Sequence, residues 1–273
     1  MARAIKHIKA GLLHLEIIGT VPEQLTGRRR AGRCRPTCEA QQFYNDKCSW
    51  RELELHLAAN FGRRDMVLTL TYDDAHLPAD KQAAAKCFQA FVRKWRAARK
   101  RRGQELRYIY VTEGWHGKSD DGRFGDDGNL EDRRLHHHHA AVNGIGPGDL
   151  EEIQSLWQGG GYIRIEPVDV HYYRELAKYL TKEAREFGRP NPGENTWHPS
   201  RNLKEPEVEY IEIPSDSVTL SVPPGAVDYV QFSEKNPFGF SDCIGARYLL
   251  FPSEPPPQYR YAKGRKRNSS NNF

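Results

Sequence analysis

The chain has 273 residues, of which 38% are hydrophobic and 28% charged, and its mean hydropathy is −0.78. This composition provides enough apolar residues for a core but excludes a protein built from several apolar membrane spans, so we expect a soluble, cytoplasmic protein with no membrane partner. The five cysteines include no Cys-x-x-Cys pair, which argues against a disulfide framework.

The net charge of +5 is unevenly distributed along the chain. Residues 255–273 carry five Lys/Arg and no acid, residues 91–102 carry seven and no acid, and residues 1–36 carry eight against two acids. Clusters of this kind suit a polyanionic partner. They also fit a solvated helix face and a disordered tail, and composition leaves both interpretations open.

The predicted elements follow the spacing of apolar residues along the chain. Residues 10–19 are predicted to form a strand or another buried segment, too short to cross a bilayer. Residues 39–60 show helical spacing of Trp50, Leu53 and Leu57. The remaining predicted strands are 66–72, 106–112, 134–142 and 161–168, and the remaining predicted helices are 80–102, 149–157 and 170–187.

From residue 66 onward the order is β-α-β-β-α-β followed by a helix. This order predicts an α+β fold of the split βαβ type, an antiparallel sheet with helices on one face as in ferredoxin-like and RNA-recognition domains. We expect four parts: a basic segment and helix (1–64), the split βαβ core (65–190), a small β-rich extension (191–254) and a basic disordered tail (255–273).

Four consecutive histidines, His136 to His139, lie on a predicted strand. Alternate side chains of a strand share a face, so His136 and His138 point one way while His137 and His139 point the other. Either pair can bind one metal ion, and periodicity does not choose between them. Glu113, at the end of the preceding strand, is the best-placed third ligand, and His116 on the adjoining loop is a weaker one. Imidazole with carboxylate suits Mn²⁺, Mg²⁺ or Zn²⁺.

The last predicted helix carries the sequence Tyr-Leu-Thr-Lys at 179–182. Tyr179 lies off the apolar stripe of this helix, so the core does not require it, and Lys182 is its neighbour on the polar side. A tyrosine beside an ammonium group and a metal can attack a phosphate. Tyr172 shares the same helical face and competes for this role.

Three motifs occur in an order that resembles one protein family. LTLTYDDAHLP resembles motif I of rolling-circle replication initiators, RLHHHHAAV resembles their HUH motif, and YLTK resembles their YxxK motif. The segment WHPSRNLKEP also resembles the one that follows the catalytic helix in phage-type initiators. The most similar group is the phage-type replication-associated proteins related to filamentous-phage gene II proteins, and the resemblance covers about residues 40–206.

The resemblance implies the antiparallel sheet of HUH endonucleases and a set of roles. His136 and His138, with Glu113, would bind a divalent metal, Mn²⁺ or Mg²⁺. Tyr179 would attack a phosphodiester of single-stranded DNA at a replication origin, and Lys182 would assist. DNA contacts are expected from Thr69, Thr71, Arg93, Lys94 and Arg96. A host helicase and polymerase would be further partners.

One position departs from the family pattern, and two alternative functions are compatible with part of that pattern. The position between the ligand histidines is usually apolar, and here it is His137, so the pair His137/His139 stays open as the alternative. A single-tyrosine transposase shares the order of motifs, although such chains are usually much shorter. A non-catalytic module related to RNA-recognition domains is a further alternative, because Tyr108 and Tyr110 alternate on one strand and could stack on bases.

Overall fold

A computed structural model describes residues 3–20, 39–114, 136–182, 195–213, 220–234 and 243–252. His116, the acidic part of the loop around it and the basic tail 255–273 lie outside these ranges. The fold is α+β, with four helices and two antiparallel five-stranded sheets among the described residues. None of the helices in these ranges is both long and apolar enough to cross a membrane.

The central sheet contains the predicted split βαβ unit. Its strands are β3 (Met66–Tyr72), β4 (Tyr108–Gly114), β5 (His136–Val142), β6 (Gly160–Pro167) and β7 (His198–Pro199), in the order β6-β3-β5-β4-β7. Every pairing in it is antiparallel. The helices between its strands are α2 (Lys81–Arg101) and α3 (Asp149–Leu156). The predicted β-α-β-β-α-β order is therefore confirmed.

Helix α2 covers one face of the central sheet because its apolar residues recur at helical spacing. Asp80 caps its start by accepting a hydrogen bond from the Ala83 N–H at 2.7 Å. Phe88, Phe91 and Trp95 are almost fully buried against the sheet. Burying each of these side chains contributes about 2 kcal/mol or more to folding.

The opposite face of the central sheet is covered by α1 (Glu39–Asn60) and α4 (Tyr173–Leu180), which lie outside the βαβ order. Leu53 and Leu57 of α1 share one core with Ile109 and Val111 of β4. The two helices of the split βαβ unit thus lie on one face, as predicted, and two further helices close the other.

An outer sheet brings together strands that are distant in sequence. It contains β1 (Arg3–Ala10), β2 (Leu13–Thr20), β8 (Glu207–Ile213), β9 (Ala226–Glu234) and β10 (Cys243–Leu250), in the order β8-β1-β2-β10-β9. Arg247 of β10 donates a hydrogen bond to the buried Glu54 of α1 at 2.6 Å. Helix α1 therefore packs against both sheets, and the proposed division into four parts stays a prediction.

The basic run at 91–102 is not all available to a polyanion, because Arg99 is fully buried. Its guanidinium donates to Asp149 Oδ1 at 3.2 Å and to the Asn143 carbonyl at 2.7 Å, and it lies 4.5 Å from the Trp95 ring centroid. This cluster ties α2 to the start of α3.

Replacing Arg99 with alanine should lower the free energy of unfolding by about 3–5 kcal/mol, because it leaves the buried Asp149 carboxylate without its cation. Urea denaturation measures this loss. Arg101→Ala is the matched control, since Arg101 is exposed on the last turn of the same helix. Equal stability of the two variants would contradict a structural role for Arg99.

Candidate active site

The two faces of strand β5 place its four histidines in different surroundings. His137 and His139 lie on the face covered by α1 and α4, because the β5 residue Ala141 on the same face packs into that core. His136 and His138 lie on the face covered by α2, with Ala140 and Val142. Both faces of β5 are therefore buried, so the apolar residues beside the histidines do not reveal from the sequence which pair meets Glu113.

His137, His139 and Glu113 form one cluster. Their side-chain ligand atoms all lie within 4.8 Å of one another. Glu113 Oε2 lies 3.2 Å from His137 Nε2 and 3.9 Å from His139 Nε2. Strand pairing explains the meeting, since Glu113 of β4 lies directly opposite His137 of β5. This buried group is the one that can bind a metal ion among the residues the structure describes.

The protonation states of the cluster suit a cation. Burial raises the pKa of Glu113, but the hydrogen bond from His137 and the nearby charges of His139 and Lys182 outweigh burial and hold that pKa below its usual value. Burial lowers the pKa of His139 to about 4. The cluster therefore holds a carboxylate and a neutral imidazole at neutral pH. Glu113 Oε1 is also buried without a hydrogen-bond partner among the described residues, which fits an oxygen reserved for a metal.

Thr69 fixes the orientation of the His139 ring. Its Oγ1 lies 3.0 Å from His139 Nδ1, and a His139 tautomer protonated on Nδ1 donates to it. The lone pair of Nε2 is then directed into the cluster. A hydrogen-bond partner on the other ring nitrogen sets the ring orientation of metal-binding histidines. Thr69 was predicted to contact DNA, and this supporting contact could not be identified from the sequence.

Tyr179 and Lys182 reach the same cluster from the end of α4. The Tyr179 hydroxyl lies 3.0 Å from His139 Nε2, and the Lys182 ammonium lies 3.5 Å from Glu113 Oε2 and 4.2 Å from the Tyr179 ring centroid. Tyr173, Ala177 and Leu180 hold the buried side of the helix, while Tyr179 is 42% exposed. The helix begins at Tyr173 rather than near Val170, because a turn precedes it, in which Asp169 accepts hydrogen bonds from the backbone N–H groups of His171 and Tyr172.

His138 occupies a different environment, between the central sheet and α2. Its Nε2 lies 2.7 Å from the Tyr72 hydroxyl, its Nδ1 lies 3.0 Å from Thr112 Oγ1, and the residue is fully buried. Both ring nitrogens therefore have partners, and no carboxylate shares this pocket among the described residues. His136 is on the same side of β5. The structure does not bring His136 and His138 to Glu113; it brings the alternative pair His137 and His139 there.

The buried His138 should make stability depend on pH in the absence of metal. Burial lowers its pKa from 6.5 to about 3, so the unfolded chain binds this proton far more readily than the folded one. The contribution of His138 to the free energy of unfolding is then fully present above pH 6.5. It is lost as the pH falls below that value, by about 2 kcal/mol between pH 7.5 and pH 5. Urea denaturation in EDTA measures this: His138→Gln should reduce the pH dependence by about this amount and leave the part that comes from the lowered pKa of His139. An unchanged profile would show that His138 titrates normally.

The other residues predicted to contact DNA lie apart from the cluster. Thr71 Oγ1 is bonded to the backbone of Tyr162. Arg93, Lys94 and Arg96 lie on α2, across the sheet from Glu113, and two of them have protein partners: Lys94 donates to Gln158 at 2.8 Å and Arg96 to the Tyr108 hydroxyl at 3.1 Å. Their role in DNA binding stays a prediction.

The comparisons with known proteins place this site within a matched segment. Residues 65–184 match a family model of replication-associated proteins, which covers the ORF2 and gene II protein types. The matched range includes Glu113, the four histidines, Tyr179 and Lys182. No curated protein and no solved structure matches the chain significantly.

Proposed function

Because residues 65–184 match the family of ORF2 and gene II replication-associated proteins, we propose that the chain is an initiator of rolling-circle replication that nicks and rejoins single-stranded DNA. The observation that carries the proposal is the meeting of Tyr179 with the Glu113/His137/His139 cluster, where the tyrosine hydroxyl is 3.0 Å from His139 Nε2. The family match favours this function over a single-tyrosine transposase.

His137, His139 and Glu113 would bind the metal. Two imidazoles and a carboxylate suit Mn²⁺ or Mg²⁺ acting on phosphate, and when bound such an ion polarises the scissile phosphate and offsets the charge that develops on it. Thr69 holds His139 in the required orientation. This revises the ligand set implied by the resemblance, in which His136 and His138 took these places.

Tyr179 would be the nucleophile. Its oxygen attacks the phosphorus atom and forms a phosphotyrosine bond to the 5′ end, while the bond from phosphorus to the 3′ oxygen breaks and leaves a free 3′-OH. The tyrosine hydroxyl loses its proton to solvent water during this attack, because His139 Nε2, 3.0 Å from that hydroxyl, would be occupied by the metal, and the leaving 3′ oxygen takes up a proton from solvent. Lys182 adds positive charge beside both Tyr179 and Glu113. The phosphotyrosine ester conserves the free energy of the phosphodiester bond that was broken, so the same site can rejoin the strand.

A non-catalytic module related to RNA-recognition domains is not favoured by the geometry. Tyr110 is buried beneath α2 and stacks on Phe88 at 4.3 Å between ring centroids. Tyr108 lies on the same side of the sheet, against Arg96. These rings are therefore engaged within the protein rather than presented on an open sheet face.

The test is the formation of a covalent adduct. Purified protein is mixed with single-stranded circular DNA and Mn²⁺ and run on a denaturing gel beside a sample with EDTA. We expect a DNA-linked species of reduced mobility that is sensitive to nuclease and absent with EDTA. Nicking without any protein linkage would point to a metal-dependent nuclease that uses water, and would overturn the assignment of a tyrosine nucleophile.

A further inference from the structure

Strand β6, at the edge of the central sheet, carries the most exposed large apolar side chain among the described residues. Tyr162 is 66% exposed, so most of a large aromatic side chain is in contact with solvent. Two residues further along the same strand, the Arg164 side chain is 57% exposed. An aromatic ring and a cation thus stand together on an accessible edge.

A β-bulge holds Tyr162 in place. The pairing of β3 with β6 runs in register as far as Leu70 and Ile163 and then shifts, so that Tyr72 pairs with Gly160. Gly161 and Tyr162 are therefore both opposite Thr71, whose Oγ1 accepts from the Tyr162 N–H at 2.6 Å and donates to the Tyr162 carbonyl at 3.2 Å. A Cβ on Gly161 would lie 2.5 Å from the Thr71 carbonyl carbon, so the bulge requires glycine there. Bulges beside functional sites redirect side chains in this way.

The bulge directs Tyr162 toward the face that carries the active site. Arg164 is paired with Thr69, and Thr69 contacts His139, so the exposed side chains of β6 share a face with the cluster. Strands β6 and β5 flank β3 on its two sides. Two interstrand spacings separate Tyr162 from the histidines of β5, which is about 10 Å.

We propose that Tyr162 and Arg164, the β6 platform, bind the single-stranded DNA that enters the active site. The Tyr162 ring would stack on a base close to the scissile phosphate, and Arg164 would contact a neighbouring phosphate. Bases in a duplex are already stacked on one another, so such a platform favours a single strand. Arg164 is paired with Glu166 on the surface, and an exposed ion pair is weak enough for a phosphate to replace it. The inference rests on the proposed function, since it names the contact by which that site holds its substrate.

The test measures DNA binding without cleavage. Fluorescence anisotropy of a fluorescein-labelled single-stranded oligonucleotide of mixed sequence is recorded in EDTA, with the full chain. Tyr162→Ala should weaken binding by about 5- to 150-fold, the range that follows from the loss of one base–aromatic stack. Tyr162→Phe keeps the stacking ring and should bind nearly as the unaltered protein does. The matched control is Tyr210→Ala, because Tyr210 is 57% exposed on β8, an edge strand of the outer sheet.

The outcomes separate this inference from the proposed nickase. Weaker binding by Tyr162→Ala alone supports the platform, whether or not the protein forms an adduct with Mn²⁺. Equal binding by Tyr162→Ala and Tyr210→Ala overturns the platform, even if both variants cleave DNA. Arg164→Gln should also reduce the dependence of binding on salt, by about one phosphate contact. An unchanged salt dependence overturns the assignment of Arg164.

Discussion

Replacing Tyr179 with phenylalanine is expected to abolish the covalent protein–DNA adduct and to slow nicking by on the order of 10⁴-fold or more, as removal of a nucleophile does in other covalent enzymes. The change removes only the oxygen that lies 3.0 Å from His139 Nε2. The ring remains for its edge contact with His139 and for the Lys182 ammonium above it. Because Tyr179 is 42% exposed and outside the core, the folded state should keep its stability.

Tyr172→Phe is the matched control. Tyr172 precedes α4, two turns from Tyr179 on the same helical face, and is 58% exposed. The Tyr172→Phe variant should form the protein–DNA adduct at the same rate as the unaltered protein. Tyr173 does not compete, because it is buried and its hydroxyl donates to the Phe61 carbonyl. An adduct that persists in Tyr179→Phe and disappears in Tyr172→Phe would move the nucleophile to Tyr172.

Loss of metal binding in His137→Ala and His139→Ala is the second large effect. Each variant removes one of the three converging side chains that we propose as ligands, and we expect Mn²⁺ affinity to fall by more than about 100-fold, which exceeds the loss expected for a hydrogen-bond partner of a ligand. Isothermal titration calorimetry of the metal alone measures this without DNA. Adduct formation should be lost in parallel.

His138→Gln supplies the contrast within the same strand. It should keep Mn²⁺ affinity within a few-fold while lowering stability, because His138 bonds to Tyr72 and Thr112 rather than to the cluster. Thr69→Val should weaken Mn²⁺ binding by about 10- to 100-fold, through loss of the hydroxyl that orients His139. The opposite pattern, with His138→Gln abolishing binding and His139→Ala leaving it intact, would restore His136 and His138 as the ligands.

Local sequence patterns predicted most of the central sheet and its helices. The apolar stripe of α2 indicates a helix and the β-branched run of β3 indicates a strand. Both patterns predicted correctly, since each element buries its apolar side chains in the same core. The predicted strand 106–112 lies two residues further along, at Tyr108–Gly114. Glu113 is therefore inside β4 rather than after it, and strand pairing sets it opposite His137.

The ligand pair and the outer sheet depend on contacts between distant parts of the chain. Strand periodicity separates His137 and His139 from His136 and His138, but which face receives α4 is decided by tertiary packing. Likewise, the sequence of β1 does not reveal that its partner is β8. A strand's own residues carry little information about a partner that lies far along the chain.

The pairing of Arg3 in β1 with Ile213 in β8 has a consequence for how the protein is made. Strands β1 and β2 leave the ribosome before β8, β9 and β10, and the outer sheet is complete only after those three strands have been synthesised. At 5–20 residues per second, roughly 10–40 seconds pass before the last of these strands emerges. The early hairpin, with Ile8, Leu13 and Ile18 uncovered, is exposed to aggregation for that time. Formation of the outer sheet therefore depends on keeping this hairpin from aggregating until β10 has been synthesised.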